Sequence, residues 1–168
     1  MKYISFSTAK NFNDCPRYVY ITTPYFIPNE QIIASIQAAA LSGIDVQLMI
    51  PGKSDSKIVK AATMSYVKDL LLAGARVFLY QKGFIHAKTM IVDDLLGTIG
   101  TANMDQRSFD INFEINAFIY DQELNQQLKD NFEKDKEDCV ELFLDRWEKR
   151  RISKRLVESF ARLFAPLL

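Results

Sequence analysis

Three apolar, β-branched runs punctuate the first half of the chain: YVYITTPYF from Tyr18, IDVQLMIPG from Ile44 and ARVFLY from Ala75. Two stretches of helical period separate them. In the first, Asn29 caps, Ile32, Ile33, Ile36 and Ala40 recur at helical spacing, and Gly43 closes the helix. The second runs from about Asp55 to Ala73, with Val59, Ala62, Tyr66 and Leu70 on its buried face and Gly74 as the stop. Two successive strand–helix–strand passages require right-handed crossovers and neighbouring parallel strands. The expected fold is therefore α/β, with a mixed, mostly parallel sheet flanked by helices.

Beyond Tyr80, FIHAKTMIVDD reads as a further strand ending at Asp93 and Asp94, LLGTIGTAN turns the chain back, and INAFIYD is another strand. From Gln122 the pattern is helical to the end, with breaks near Cys139 and Ser153. Residues 1–17 read as an irregular lead-in, because NFNDCPR has no period and Pro16 forbids a helix running straight into the first strand. Residues 18–145 form the domain, and residues 146–168 a basic amphipathic C-terminal helix. The length of 168 residues suits one domain with a proper core.

Lys+Arg and Asp+Glu both total 21, so the bulk charge offers no basic excess, and no nucleic-acid partner is expected. The two cysteines, Cys15 and Cys139, are far apart and lack metal-ligand companions, which argues against a zinc site and fits a reducing compartment. No run approaches the roughly 20 apolar residues of a spanning helix, and the start lacks a signal peptide's apolar stretch. Membrane contact through this chain is expected to be peripheral.

His86 is the only histidine. It opens the string HAKTMIVDDLLGTIGTAN, which places His86, Lys88, Asp93, Gly100 and Asn103 at the spacing H-x-K-x4-D-x6-G-x2-N. On a strand, residues two apart share a face, so His86 and Lys88 are expected to meet one phosphate. Imidazole can attack phosphorus or carry a proton near neutral pH. The Lys88 ammonium and the Asn103 amide can donate to phosphoryl oxygens. Gly100 is read as permitting a tight turn that returns Asn103 over the strand. Glu114 is expected to accept the Nδ1 proton of His86 and set its tautomer. No metal and no cofactor is required, because lysine and asparagine supply the electrophilic side.

This spacing resembles the HKD motif of the phospholipase D superfamily. With ITTPYFIPNE, LSGIDVQLMIPGKSD, LLAGARVFLYQKGFIHAKTMIVDD, GTANMDQRSFDINFEINAFIYD and RLFAPLL, the chain from Tyr18 to Leu168 resembles the C-terminal half of bacterial cardiolipin synthases. The resemblance implies a phospholipase D-like domain with a single HKD module, in which His86, Lys88 and Asp93 form the second motif. It implies that Lys88, Thr101 and Asn103 bind phosphate, that Glu114 holds the histidine, and that Asp93 anchors the motif loop. It makes His86 the general acid and base, with a first-motif histidine as nucleophile. Asp105, Arg107 and Ser108 either shape the site or serve as turn cap and local ion pair. Tyr25 and Phe26 either line a lipid or glycerol channel or are core aromatics. In the family, membrane segments and a first HKD domain precede this region, and a helix feeds the TPYF strand. Ala9–Lys10 reads as a remnant of that helix, so the chain is expected to be one half of an enzyme.

Acidic residues dominate from Asp121 to Asp145 and read as a solvated helix face. The sign then reverses, with Arg146, Lys149, Arg150, Arg151, Lys154, Arg155 and Arg162 beside Trp147, Ile152, Leu156, Phe160, Leu163 and Phe164. A basic amphipathic helix with an interfacial tryptophan suits an anionic lipid surface, whereas packing on its own domain or on the missing half is the competing reading. Three functions follow from the resemblance. The first is phosphatidyl transfer between two phosphatidylglycerols at the cytoplasmic side of the bacterial cytoplasmic membrane, completed by the N-terminal half. The second is a homodimeric single-HKD phosphodiesterase or nuclease. The third is a non-enzymatic truncated or partner domain.

Overall fold

The computed structural model describes residues 16–165, so the lead-in over 1–15 and the extreme C-terminus lie outside the described residues. In chain order the first half contains β1 (Tyr18–Thr22), β2 (Phe26–Ile27), α1 (Glu30–Leu41), β3 (Asp45–Pro51), α2 (Lys57–Leu72) and β4 (Arg76–Tyr80). The second half contains β5 (Thr89–Val92), β6 (Leu96–Gly100), β7 (Met104–Asp105), α3 (Gln106–Asp110), β8 (Asn116–Ile119), α4 (Gln122–Lys136), β9 (Cys139–Leu142), α5 (Leu144–Glu148) and α6 (Ile152–Leu163). The seven-stranded sheet has the order β8-β6-β5-β1-β3-β4-β9, and β2 pairs with β7 as a separate ribbon.

The two crossovers form as their punctuation dictates. Asn29 Oδ1 accepts from Ile32 N at 3.0 Å and the Ser56 hydroxyl from Val59 N at 3.4 Å, satisfying orphan donors at the two helix starts. Gly43 and Gly74 stop the helices at φ +87° and +90°, where a side chain would strain the backbone. β1, β3 and β4 are parallel, while β5, β6, β8 and β9 join antiparallel. The sheet is thus mixed, with an antiparallel majority of pairings rather than a parallel one.

β1 is buried along its whole length because both sheet faces are covered. Val19 and Ile21 enter the core beneath α1 and α2, while Tyr18 and Tyr20 face α4, where Tyr20 stacks on Phe132 at 4.9 Å. Tertiary packing decides several of the sequence expectations. LLGTIGTAN is not a turn, because its first half becomes β6 against β5. The break expected near Cys139 is present: α4 ends at Lys136, and Cys139–Leu142 becomes an edge strand on β4, tied by the Arg76–Glu141 ion pair at 2.8 Å. The C-terminal segment is not one helix: it splits at residues 149–151 into α5 and α6, and Ser153 lies inside α6. Trp147 is not interfacial. It is buried in the core, with the Arg150 guanidinium 3.2 Å above its ring.

Candidate active site

The site lies where β1 ends and β5 begins, at the edge to which the parallel strands point their C-termini. β1 stops at Thr22: Thr23 N turns to Met49 O at 3.1 Å, and Pro24 has no amide hydrogen to continue a ladder. Residues 84–88 therefore have no β1 residue to pair with, and His86 stands in the loop before β5 rather than on a strand. Strand alternation is not what unites it with Lys88. The lysine folds back, donating to His86 O at 2.8 Å, with Nζ 3.1 Å from Nδ1 and 3.3 Å from Nε2. Burial draws the Lys88 pKa below the ordinary lysine value, against the opposing pull of Glu114 and Asp105.

Two aromatic rings flank the imidazole. Phe84 lies 5.4 Å away and Tyr25 stands edge-on at 6.3 Å. The Tyr25 hydroxyl donates to Asp55 Oδ2 at 2.7 Å, and burial together with that carboxylate pushes its pKa up to about 12. Tyr25 thus borders the histidine, whereas Phe26 does not line the site. The two-residue strand β2 turns it inward against Tyr66, and it is fully buried. Asp55 and Phe84 are additions that the sequence did not single out. Both are ordinary loop residues until the fold brings them beside Tyr25 and His86.

The 101–103 loop is stitched down one residue at a time. Gly100 N donates to Lys88 O at 3.2 Å, Thr101 N to Ile115 O at 2.9 Å, Asn103 N to Ser108 Oγ at 3.2 Å and Met104 N to Thr23 Oγ1 at 3.2 Å. Gly100 serves close approach rather than a turn. A Cβ there would overlap the Asn116 side-chain oxygen and the Ile115 carbonyl, so only glycine lets β8 approach β6 at this point. The Asn103 side-chain oxygen, an acceptor, is buried and has no hydrogen-bond partner among the described residues.

The structure does not bring Glu114 to His86. The Thr101 hydroxyl and Asn112 Nδ2 donate to its carboxylate, the latter at 3.2 Å, and with Ser108 they hold its pKa below the usual carboxylate value. Thr101 is correspondingly occupied, since its hydroxyl also accepts from Ile115 N at 2.9 Å. Asp105 caps α3 by accepting from Ser108 N at 2.7 Å, while Arg107 is exposed and makes no ion pair among the described residues. Asp93 sits at the far end of β5. Its Oδ1 accepts from Arg17 N at 2.8 Å and Tyr18 N at 3.0 Å, joining the motif strand to the start of β1.

The family described as cardiolipin synthase, PLD-like domain matches residues 9–136. Cardiolipin synthase 2 of Bacillus anthracis is 49% identical over 150 residues, and the match covers 89% of this chain but only 29% of that protein's length. Among solved structures, phosphatidylserine synthase of Haemophilus influenzae superposes with a TM-score of 0.69 at 17% identity, over 90% of this chain and 40% of that one. Nuc of Salmonella typhimurium, a phospholipase D family member, gives 0.66 at 18% identity, over 76% and 83%. These two likenesses establish the fold. A family match over most of the sequence, carried on that fold, shows that this chain belongs to the cardiolipin synthase family of phospholipase D-like domains.

Proposed function

We propose that the chain is the C-terminal catalytic half of a phosphatidyltransferase that joins two phosphatidylglycerols into cardiolipin and releases glycerol. The observation that carries this reading is the Lys88 ammonium lying against both ring nitrogens of His86 at the open end of β5, with the loop that carries Asn103 tied to Lys88 through Gly100 N. Lysine and asparagine donate to the non-bridging oxygens, and His86 protonates the departing glycerol alkoxide. It then removes the proton from the second phosphatidylglycerol's hydroxyl as that oxygen attacks phosphorus. The phosphatidyl group is carried meanwhile on a histidine of a second HKD module, from an N-terminal half or from a second copy of this chain. Glu114, kept anionic by Thr101 and Asn112, is available to orient an imidazole brought by that module.

Support for a docked second module comes from the apolar side chains around Glu114. Ile111, Phe113, Ile115, Phe118 and Tyr120 are exposed on or beside β8, an edge strand. The same surface suits the homodimeric phosphodiesterase reading, in which two copies supply the two histidines. Peripheral attachment to an anionic membrane is supported by α6. Its inner face meets α2, where Arg162 pairs with Asp69, while Ile152, Leu156, Phe160 and Leu163 point to solvent beside Arg151, Lys154 and Arg155. No helix among the described residues is long and apolar enough to cross a membrane.

The deciding experiment measures phosphatidylglycerol turnover in mixed micelles together with oligomeric state, with and without an added N-terminal half. Turnover is expected only when a second HKD module is present, and His86→Ala is expected to abolish it. A strictly monomeric chain that is fully active alone refutes the two-histidine mechanism. An assembled chain that remains inert is a non-catalytic partner domain.

A further inference from the structure

On the sheet face that carries α1 and α2, the helices pack on β3, β2 and β4. Beside them lies a trough of about 340 Å³, floored by β1, β5, β6 and β8 and walled on one side by α1. Its surface is mainly hydrocarbon, from Ile21, Ile32, Ile36, Met90, Met104 and Phe118. Phe118 remains 51% exposed, so the apolar surface is open to solvent. Among the described lining residues a single one is charged, and it is Lys88, whose ammonium lies against His86. Lys88 thus both lines the trough and touches His86, and the lining, mainly apolar with polar side chains among it, has the makeup of a ligand pocket.

We propose that this trough receives one acyl chain of an anionic phospholipid whose phosphate is held at Lys88 and His86. The inference rests on the reading of those two residues as a phosphate site. One cation at the end of a hydrocarbon channel matches an amphiphile with an anionic head. A phosphodiester without an alkyl chain would leave the apolar walls wet and gain nothing from them. Thr22, Thr23 and Asn116 are neutral polar residues of the same lining, suited to a lipid's ester oxygens.

The test is a methyl and imidazole NMR titration of the 168-residue chain. His86 is the only histidine, so its ring signals report the phosphate site without ambiguity. Met90 and Met104 line the trough, while Met49 and Met64 lie outside it and report the fold. The ligands are inorganic phosphate, hexyl phosphate and octyl phosphate below their micelle concentrations. His86 is expected to respond to all three, and Met90 and Met104 only to the alkyl phosphates. Affinity is expected to rise about fourfold per added methylene, or roughly 15-fold from hexyl to octyl. Thr98→Trp, or Ser35→Trp should the first not fold, fills the trough and is expected to erase the chain-length dependence while leaving the inorganic phosphate response of His86.

A His86 response that ignores chain length, with Met90 and Met104 silent, overturns the acyl assignment and leaves the phosphate site standing. A silent His86 refutes the phosphate reading itself. If Met90 and Met104 respond only after residues 1–15 are removed, the chain's own N-terminal segment occupies the trough, and the acyl assignment is overturned.

Discussion

Replacing Asp93 should cost stability and spare the phosphate chemistry, although the residue completes the HKD signature. Asp93 and Lys88 are five residues apart along an extended segment, roughly 16 Å at about 3.3 Å per residue, so the carboxylate cannot reach a phosphate at His86. What it holds is the start of β1. Asp93 is 8% exposed, accepts the Arg17 and Tyr18 amides, and has φ +50°, a left-handed conformation that Asp and Asn adopt more readily than other side chains. Asp93→Ala leaves two backbone donors without their acceptor, at about 1–3 kcal/mol each where water cannot replace it. It also places alanine in a left-handed conformation at a cost of roughly 1–2 kcal/mol. Because the Arg17 amide is only partly buried and can turn to water, a loss of about 3–5 kcal/mol is expected, which for a chain of this size lowers Tm by about 6–20 °C. Asp93→Asn keeps an acceptor and the backbone preference, and should cost only about 1 kcal/mol. Urea and thermal unfolding followed by circular dichroism measure the loss, and the His86 response to inorganic phosphate measures the site. Unchanged stability in Asp93→Ala together with a lost His86 response would place Asp93 in the chemistry and refute the argument.

Gly100→Ala is expected to destabilise by about 1–3 kcal/mol in urea unfolding, because its methyl group must displace both the Ile115 backbone and the Asn116 side chain. Thr101→Val removes a donor that stabilises the Glu114 anion, so the carboxyl pKa, read by carbon NMR, should move up toward the ordinary value. Because the folded pKa is depressed, the stabilising contribution of Glu114 is present above the ordinary carboxylate range and lost as pH falls through the folded pKa; Thr101→Val should diminish that loss. Asp55→Asn should lower the Tyr25 pKa from about 12, since burial remains but the accepting carboxylate is gone. Tyrosine ring-carbon NMR across an alkaline titration follows it, and an unmoved value would mean the pair does not form. Leu156→Asp with Phe160→Asp should abolish sedimentation with phosphatidylglycerol vesicles while leaving Tm nearly unchanged, as both side chains point to solvent.

Much of this molecule was legible along the chain because local rules and the tertiary fold agree there. Asn29, Gly43 and Gly74 mark helix ends at their own positions, and the apolar runs at Val19 and Val46 are long enough to be central strands whatever surrounds them. The proposed His86, Lys88 and Asn103 set comes from spacing, since residue type limits which groups can hold a phosphate and carry a proton. The direction of the sheet around them was not readable. Whether LLGTIGTAN turned or paired depended on β5 lying beside it, and whether Cys139–Leu142 became a strand depended on the free edge of β4.

The sequence by itself determined the α/β class, the two crossovers and the candidate site residues, because capping, periodicity and chemical type act over a few neighbouring residues. Only the tertiary structure decided which partners those side chains keep. Glu114 and His86 are separated by 28 positions, and the same span of chain could close on either Thr101 or the imidazole. Three-dimensional packing chose Thr101, because β8 pairs with β6 and sets Ile115 against that hydroxyl. Trp147 makes the same point. Its flanking arginines suit a membrane surface, but the ring is buried because α5 leads the chain back onto the core next to α2, and Arg150 closes over it.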